Sequence, residues 1–358
     1  MILQEVTSLV SDQQKNPNSD QKTLLLSIVG STATGKTDLA LWLCQQLEGK
    51  YTGFDLISAD SRQVYKGLEI ISGTDIPAGF ENKGDFFEKA QVQLHGISML
   101  SASAEWSVAQ FQDFAQKIVA ESWARGRLPI IVGGTGLYHQ QLWQSDPQLH
   151  VTPNLEVREK AQDLSVVELQ AWLRQVSVEA MATMNHSDSL NPRRLVRKIE
   201  LELARKVELA PENAALGKKD SEFENVAALT RLVTSNPAVD EHMVGLSADL
   251  AVLEEKIRTR IENRLQQGAL SELERLVADY PDSRLPIYSS TGVKPLLAVL
   301  NGELELEQAK ELWFLQERSY AKRQITWWKK RTDVKWFSVA DADWQQQVLE
   351  WFIYDAHV

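Results

Sequence analysis

The chain has 358 residues, 43% of them hydrophobic and 24% charged, with a formal net charge of −11. That length exceeds one compact core and calls for two lobes, or a core with an insertion. The acidic balance excludes a uniformly basic nucleic-acid coat, though not a local basic channel, and the single cysteine, Cys44, excludes disulfides and a cysteine-based zinc site.

Residues 1–22, most polar from Ser11 to Gln21, lack the basic-then-apolar order of a signal peptide and read as a flexible tail. With no run of about 18 apolar residues to cross a membrane, the expected location is the cytoplasm. Leu24 to Val29 is a β-branched, apolar run of strand length. It opens into Gly30-Ser31-Thr32-Ala33-Thr34-Gly35-Lys36-Thr37, which fits the phosphate-cradling pattern G-x-x-x-x-G-K-[ST]. Leu39, Leu43 and Leu47 then recur at helical spacing. In such a strand–loop–helix, curled backbone N–H groups and the helix N-terminus hold an anion. Lys36 adds a full charge and Thr37 a hydroxyl for a metal ion. Taken alone, the loop is a nucleotide-site signal and points to ATP.

A second strand, Phe54 to Ala59, ends at Asp60-Ser61-Arg62-Gln63, where an open α/β sheet places ligand-facing groups. Residues 67–96 read as loop, broken by Gly73, Pro77, Gly79 and Gly84. A helical pattern resumes from Trp106, with its cap expected among Ser101 to Glu105. The strand Leu128 to Val132 runs into Gly133-Gly134-Thr135-Gly136, glycines that suggest backbone close to a ligand. Alternating strands and helices over residues 24–145 predict an α/β core with a parallel sheet.

Beyond Pro147 strand signal nearly vanishes. Leu155 to Met184, Pro192 to Val207 and Leu246 to Val277 look helical, with a polar loop from Pro211 to Glu224. A loop from Pro281 to Gly292 precedes helical patterns at Pro295–Leu300 and Leu304–Arg331, then a strand at Val334–Phe337 and a short helix. The expected layout is a tail (1–22), a P-loop core (23–150), a helical insertion (151–240) and a helical part completing the core (241–358). Basic residues cluster at Arg193–Lys198, at Lys256–Arg264 and at Arg318–Arg331, the last threaded with Tyr320, Trp327 and Trp328. Each alone reads as a solvated helix face. Three of them in an acidic chain suggest a polyanion guided into a groove.

The pairing of the 30–37 loop with Ile57-Ser58-Ala59-Asp60-Ser61-Arg62-Gln63-Val64-Tyr65 resembles the tRNA dimethylallyltransferases, or isopentenyl-tRNA transferases. So do Val132-Gly133-Gly134-Thr135-Gly136-Leu137-Tyr138, Pro192-Arg193-Arg194-Leu195-Val196-Arg197 and Tyr320-Ala321-Lys322-Arg323-Gln324-Ile325-Thr326-Trp327. The likeness runs over residues 24–337. It implies a P-loop NTPase-like parallel sheet flanked by helices, with an all-helical insertion domain. It also implies transfer of a dimethylallyl group from dimethylallyl diphosphate to N6 of the tRNA adenosine 3′ of the anticodon. On that reading Gly30, Thr32, Ala33, Thr34, Gly35, Lys36, Thr37 and Arg318 hold the donor diphosphate, and Thr37 holds Mg²⁺. Asp60, which by itself reads equally as a capping or metal-bound aspartate, becomes the general base, with Thr37 and Arg318 also catalytic. Ser61, Arg62 and Gln63 join Asp60 facing the target base. Thr135 and Arg158 contact tRNA near the reaction centre, and Arg193, Arg194, Leu195, Val196 and Arg197 contact the anticodon stem-loop from the insertion. A monomer is expected.

The chain departs from the family pattern at Leu94-His95, where paired histidines are usual, and at Asp75, where a basic residue is usual. It departs again at Glu317, for a threonine, and at Pro295, for a glutamate. Three alternatives compete: a P-loop kinase of a nucleoside or small metabolite, prenylation of free adenine nucleotides, and a non-catalytic RNA-binding relative. The basic helical half speaks against the second, and the intact Lys36, Thr37, Asp60 and Arg318 against the third.

Overall fold

The computed structural model describes residues 23–74, 76–144, 146–208 and 239–358. The expected tail and the 211–224 loop lie outside them, as does Asp75. The chain divides into two compact units, residues 1–144 with 229–358 and residues 145–228.

In the first unit, strand β1 (Thr23–Gly30) leads through the P-loop into helix α1 (Lys36–Gln46), followed by β2 (Phe54–Ser58) and a single turn, α2 (Glu69–Ser72). A short antiparallel meander follows, β3 (Glu81–Asn82), β4 (Phe86–Lys89) and β5 (Val92–His95), where the glycine spacing suggests only loop. Helix α3 (Val108–Ala124) begins at Ser107, later than the expected cap. Ser107 and Gln110 form a reciprocal capping box that satisfies two end N–H groups. Then come β6 (Leu128–Val132) and α4 (Gly136–Gln141).

The second unit is helical throughout its described residues. It holds α5 (Leu155–Ala161), α6 (Val166–Val176), α7 (Val178–Thr183), α8 (His186–Ser189) and α9 (Pro192–Glu208). Leu169, Leu173, Leu195 and Ile199 form the centre of its core. At its heart the buried Glu200 accepts from the Asn154 backbone N–H, from Arg158 at 2.9 Å and from Arg197 at 3.1 Å. Each bond offsets part of the cost of burying that charge.

The chain then re-enters the first unit as β7 (Val239–Ser247), where no strand was expected. This strand pairs with β1 in parallel over all eight residues of β1. Its first half, Val239-Asp240-Glu241-His242, carries the charges that hide it from a hydrophobic scan. Glu241 accepts from Ser27 Oγ at 2.7 Å and from Trp143 Nε1 at 3.1 Å, and burial holds its carboxyl above the usual range. The single long helix expected over 246–277 is therefore three pieces: the end of β7, α10 (Leu250–Gln266) and α11 (Ala269–Asp279). Gly268, at φ 99°, breaks the last two apart. Helices α12 (Val293–Leu300) and α13 (Leu306–Trp328), strand β8 (Lys335–Ser338) and helix α14 (Trp344–Asp355) complete the chain.

The sheet order is β3-β4-β5-β2-β6-β1-β7-β8, parallel from β5 to β8. Leu24 to Val29 are buried without interruption because β1 is covered on both faces. On one face β1 packs with α1 and α14 through Leu39, Leu43, Val348 and Phe352; on the other, Leu25 meets Phe111, Ala115 and Val119 of α3. These contacts hold the C-terminal edge of the sheet, where β1, β2 and β6 end together, as a rigid shelf.

Candidate active site

That shelf floors a cavity of about 900 Å³. The P-loop enters from β1, and Ala33 sits at φ 63°, a left-handed conformation that costs a non-glycine residue roughly 1–2 kcal/mol. Such strain persists where the surrounding structure fixes it and clusters at ligand-binding turns. Lys36 Nζ donates to the Ser31 carbonyl at 2.6 Å, and Thr34 Oγ1 donates to the same oxygen at 2.9 Å. Burial, then the nearby Arg260 charge, lowers the Lys36 pKa to about 8, against an opposing pull from Asp60.

The glycines prove tied to protein neighbours. A Cβ on Gly30 would lie 2.5 Å from the Leu246 carbonyl of β7, and one on Gly136 would strike the Trp327 ring. Gly133 faces the Ala59 backbone, and Gly134 faces Gln324. The close approach expected of a ligand at the Gly133–Gly136 turn is thus made by β2 and α13, although Gly133 and Gly134 do line the cavity.

Asp60, at the tip of β2, accepts from the Arg62 N–H at 2.7 Å and the Gln63 N–H at 3.4 Å through Oδ1 alone. Among the described residues Oδ2 takes no hydrogen bond and is left to the cavity. Arg62 is turned by bonds to the Pro286 carbonyl and Ser289 Oγ, and Gln63 bridges Ser58 Oγ and the Gly73 carbonyl. Tyr320 of α13 lines the same space; burial and then the Asp60 charge push its hydroxyl pKa up.

One face of α10 supplies cations that the sequence assigned to a polyanion surface. Lys256, Arg260 and Arg264, spaced four residues apart, all line the cavity. Arg260 reaches Thr32 Oγ1 at 3.1 Å and the Gly73 carbonyl at 3.4 Å. Arg264 pairs with Glu317 at 3.1 Å, and Glu317 also accepts from Thr291 Oγ1 at 2.8 Å. Arg258, off that face, pairs with Glu311 and lies over Phe314. From α13, Gln324 Oε1 accepts from the Thr32 N–H at 2.8 Å and so fixes the P-loop. The i, i+4, i+8 spacing on α10 was the available signal for this cationic wall.

Arg318 stands elsewhere. Its Nε pairs with Glu254 at 2.5 Å, and it is absent from the cavity lining, which α13 furnishes through Glu317, Tyr320, Arg323 and Gln324. Thr135 also lies outside the lining, half-buried at the N-cap of α4 with its Oγ1 shielded from solvent. Arg158, Arg193, Arg194 and Arg197 belong to the second unit. There Leu195 is fully buried and Val196 packs beside it, so these two serve the core and not a surface. Arg194 pairs with Asp188 and Arg197 with Glu200, whereas the exposed Arg193 guanidinium has no described partner. Two of the departures resolve as packing. His95 is buried against Asp55 at 3.1 Å while Leu94 lines the cavity, and Pro295 occupies the first turn of α12, which needs no N–H from it.

Among the described residues six basic and four acidic side chains line the cavity of this acidic chain. A P-loop, a cationic wall and a strand-tip carboxylate lining one cavity define a P-loop α/β protein. The family model described as IPP transferase matches residues 63–331, and the chain belongs to that family. It is 32% identical over 322 residues to the tRNA dimethylallyltransferase of Staphylococcus haemolyticus, covering 88% of this chain and 87% of that one. It is 30% identical over 320 residues to the one from Acaryochloris marina, covering 89% and 94%. Among solved structures it is similar to the full-length tRNA isopentenylpyrophosphate transferase of Bacillus halodurans, with TM-score 0.62, 27% identity and coverage of 94% and 97%. A eukaryotic dimethylallyltransferase acting on tRNA shares the fold at TM-score 0.67 and 20% identity, covering 93% and 79%.

Proposed function

We propose that this chain transfers a dimethylallyl group from dimethylallyl diphosphate to N6 of the tRNA adenosine 3′ of the anticodon, releasing diphosphate. The observation that carries this reading is that Lys36 of the P-loop and Asp60, just beyond β2, line one cavity. The donor diphosphate lies on the P-loop N–H groups, with Lys36 and Arg260 taking its charge. Leu94, Ile97 and Val132 offer the five-carbon tail an apolar wall. Thr37 lines the cavity and its hydroxyl makes no described hydrogen bond, so it fits a Mg²⁺ ion whose remaining ligands are donor phosphate and water. That ion would neutralise charge on the leaving group.

The target adenine leaves its stack to enter the cavity. Its N6 attacks the allylic carbon as the carbon–oxygen bond breaks, and the bonding electrons leave with diphosphate. Fixed donors aimed at that departing charge lower the barrier. Asp60 Oδ2 takes the N6 proton. The exposed Arg193 meets tRNA phosphate, which positions the RNA without reading its sequence.

The test incubates the protein with labelled dimethylallyl diphosphate, Mg²⁺ and either tRNA or AMP. Label on tRNA is expected; label on AMP alone would replace this reading with free-nucleotide prenylation. Against a kinase, the donor diphosphate raises the melting temperature and ATP does not.

A further inference from the structure

A second cavity, of about 700 Å³, lies across α13 from the first. The P-loop joins them: Gly30 and Ser31 line this one, Thr32 and Ala33 the other. Helix α13 divides them, with Tyr320 and Gln324 on the first side and Lys322 and Lys329 on the second. The active-site reading uses none of the second cavity's side chains.

Three features of its wall belong together. Trp336 of β8 is 37% exposed. Its ring rests on the β7 backbone, where a Cβ on Gly245 would come within 2.6 Å of it. The indole is therefore a fixed platform. Lys322 and Lys329 are exposed, on one stripe of α13, and neither pairs with a described carboxylate. Asp249, at the N-cap of α10, makes no capping bond with its side chain and has no described partner. An apolar ligand would leave both lysines unused, and a bare phosphate would leave the indole unused. A nucleotide uses all three groups: a ring for the platform, a phosphate for the lysines and an exocyclic amine for the carboxylate.

We propose that this cavity holds a second nucleotide of the RNA substrate, close in the strand to the one that reacts. Its base stacks on Trp336, its phosphate lies between Lys322 and Lys329, and its amine donates to Asp249. The proposal rests on the reading of the chain as an RNA-modifying transferase. A helix is about 10–12 Å across, so a single strand laid over α13 puts one base in each cavity. The site would hold the strand while the neighbouring base is drawn out of its stack.

The test uses the full chain with an anticodon stem-loop RNA and labelled donor. Trp336→Ala raises the KM for RNA about tenfold, within the range for losing one base–aromatic stack, while the KM for donor and the kcat at saturating RNA stay near wild type. Trp336→Phe restores most of the loss and guards against misfolding. Abasic substitution along the loop finds one position, other than the reacting one, that costs wild type about tenfold and Trp336→Ala nothing. The pair Lys322→Ala with Lys329→Ala lowers the slope of log KM against log salt by about 0.7, the single-strand value for one neutralised phosphate. A wild-type KM in Trp336→Ala, or equal abasic losses in both proteins, overturns the assignment. Free AMP that competes as well as the stem-loop also overturns it, in favour of a free-nucleotide site. Failure of wild type to label any RNA sinks the transferase reading instead, so the two failures are distinct.

Discussion

Asp60 and Lys36 line one cavity, and each makes a separate prediction. Asp60 keeps Oδ1 for the backbone and leaves Oδ2 for a proton. Asp60→Ala is therefore expected to lower kcat by ~10²-fold or more, with tRNA affinity retained in filter binding. A near-wild-type rate would remove Asp60 as the base. Lys36, with its pKa lowered to about 8, is charged below that pH and increasingly neutral above it. The diphosphate selects the charged form. Donor affinity, followed by calorimetry, should be flat up to about pH 8 and then fall by up to about tenfold per unit. An affinity unchanged to pH 9.5 would show that Lys36 does not bear the phosphate charge.

At the scale of elements, α10 and α13 decide between two arginines. Family likeness assigns diphosphate contact to Arg318, but α13 turns that side chain to Glu254 while α10 carries Arg260 to Thr32 of the P-loop. Arg260→Ala should raise the donor KM ~10–100-fold, the worth of hydrogen bonds to a charged group. Arg318→Ala should change it by less than about threefold. Steady-state kinetics on both variants with dimethylallyl diphosphate settle the assignment, and the reverse order would return the role to Arg318. The same elements show what the sequence could carry. β1, the P-loop, α1, β2 and β6 were legible because each has one clean period and a glycine boundary. β7 was not, because bonds from Ser27 and Trp143 offset part of the cost of burying a glutamate that local pattern penalises. The β3–β5 meander is too short to alternate visibly. The cavity wall on α10 was seen as charge, but its facing depends on how α10 packs on α13, which no local pattern states.

For the molecule as a whole, charged groups in each unit set its response to conditions. Asp55 is buried between β2 and α3. Burial alone would raise its pKa, but hydrogen bonds from His95, Arg127 and Ser122 bring it down to about 2. The lowered pKa sets the sign: the stabilisation is complete above the unfolded value near 3.8 and is lost as pH falls towards 2. Urea unfolding should show wild type losing about 2 kcal/mol more than Asp55→Asn between pH 5 and pH 2; parallel losses would sink the assignment. In the helical unit, Arg193→Ala should weaken tRNA binding evenly across sequences and reduce its salt slope by about 1, whereas an unchanged slope would show that this residue meets no phosphate. The return of the chain as β7 bears on how the protein is made. As the polypeptide leaves the ribosome, the P-loop appears early, but its neighbouring strand and Arg260 emerge only after residues 145–228. Until then β1 has one flank without its partner strand, an edge open to wrong pairing. A nascent chain stalled before β7 would hold the phosphate-binding motif in full but lack both the strand and the arginine that flank it.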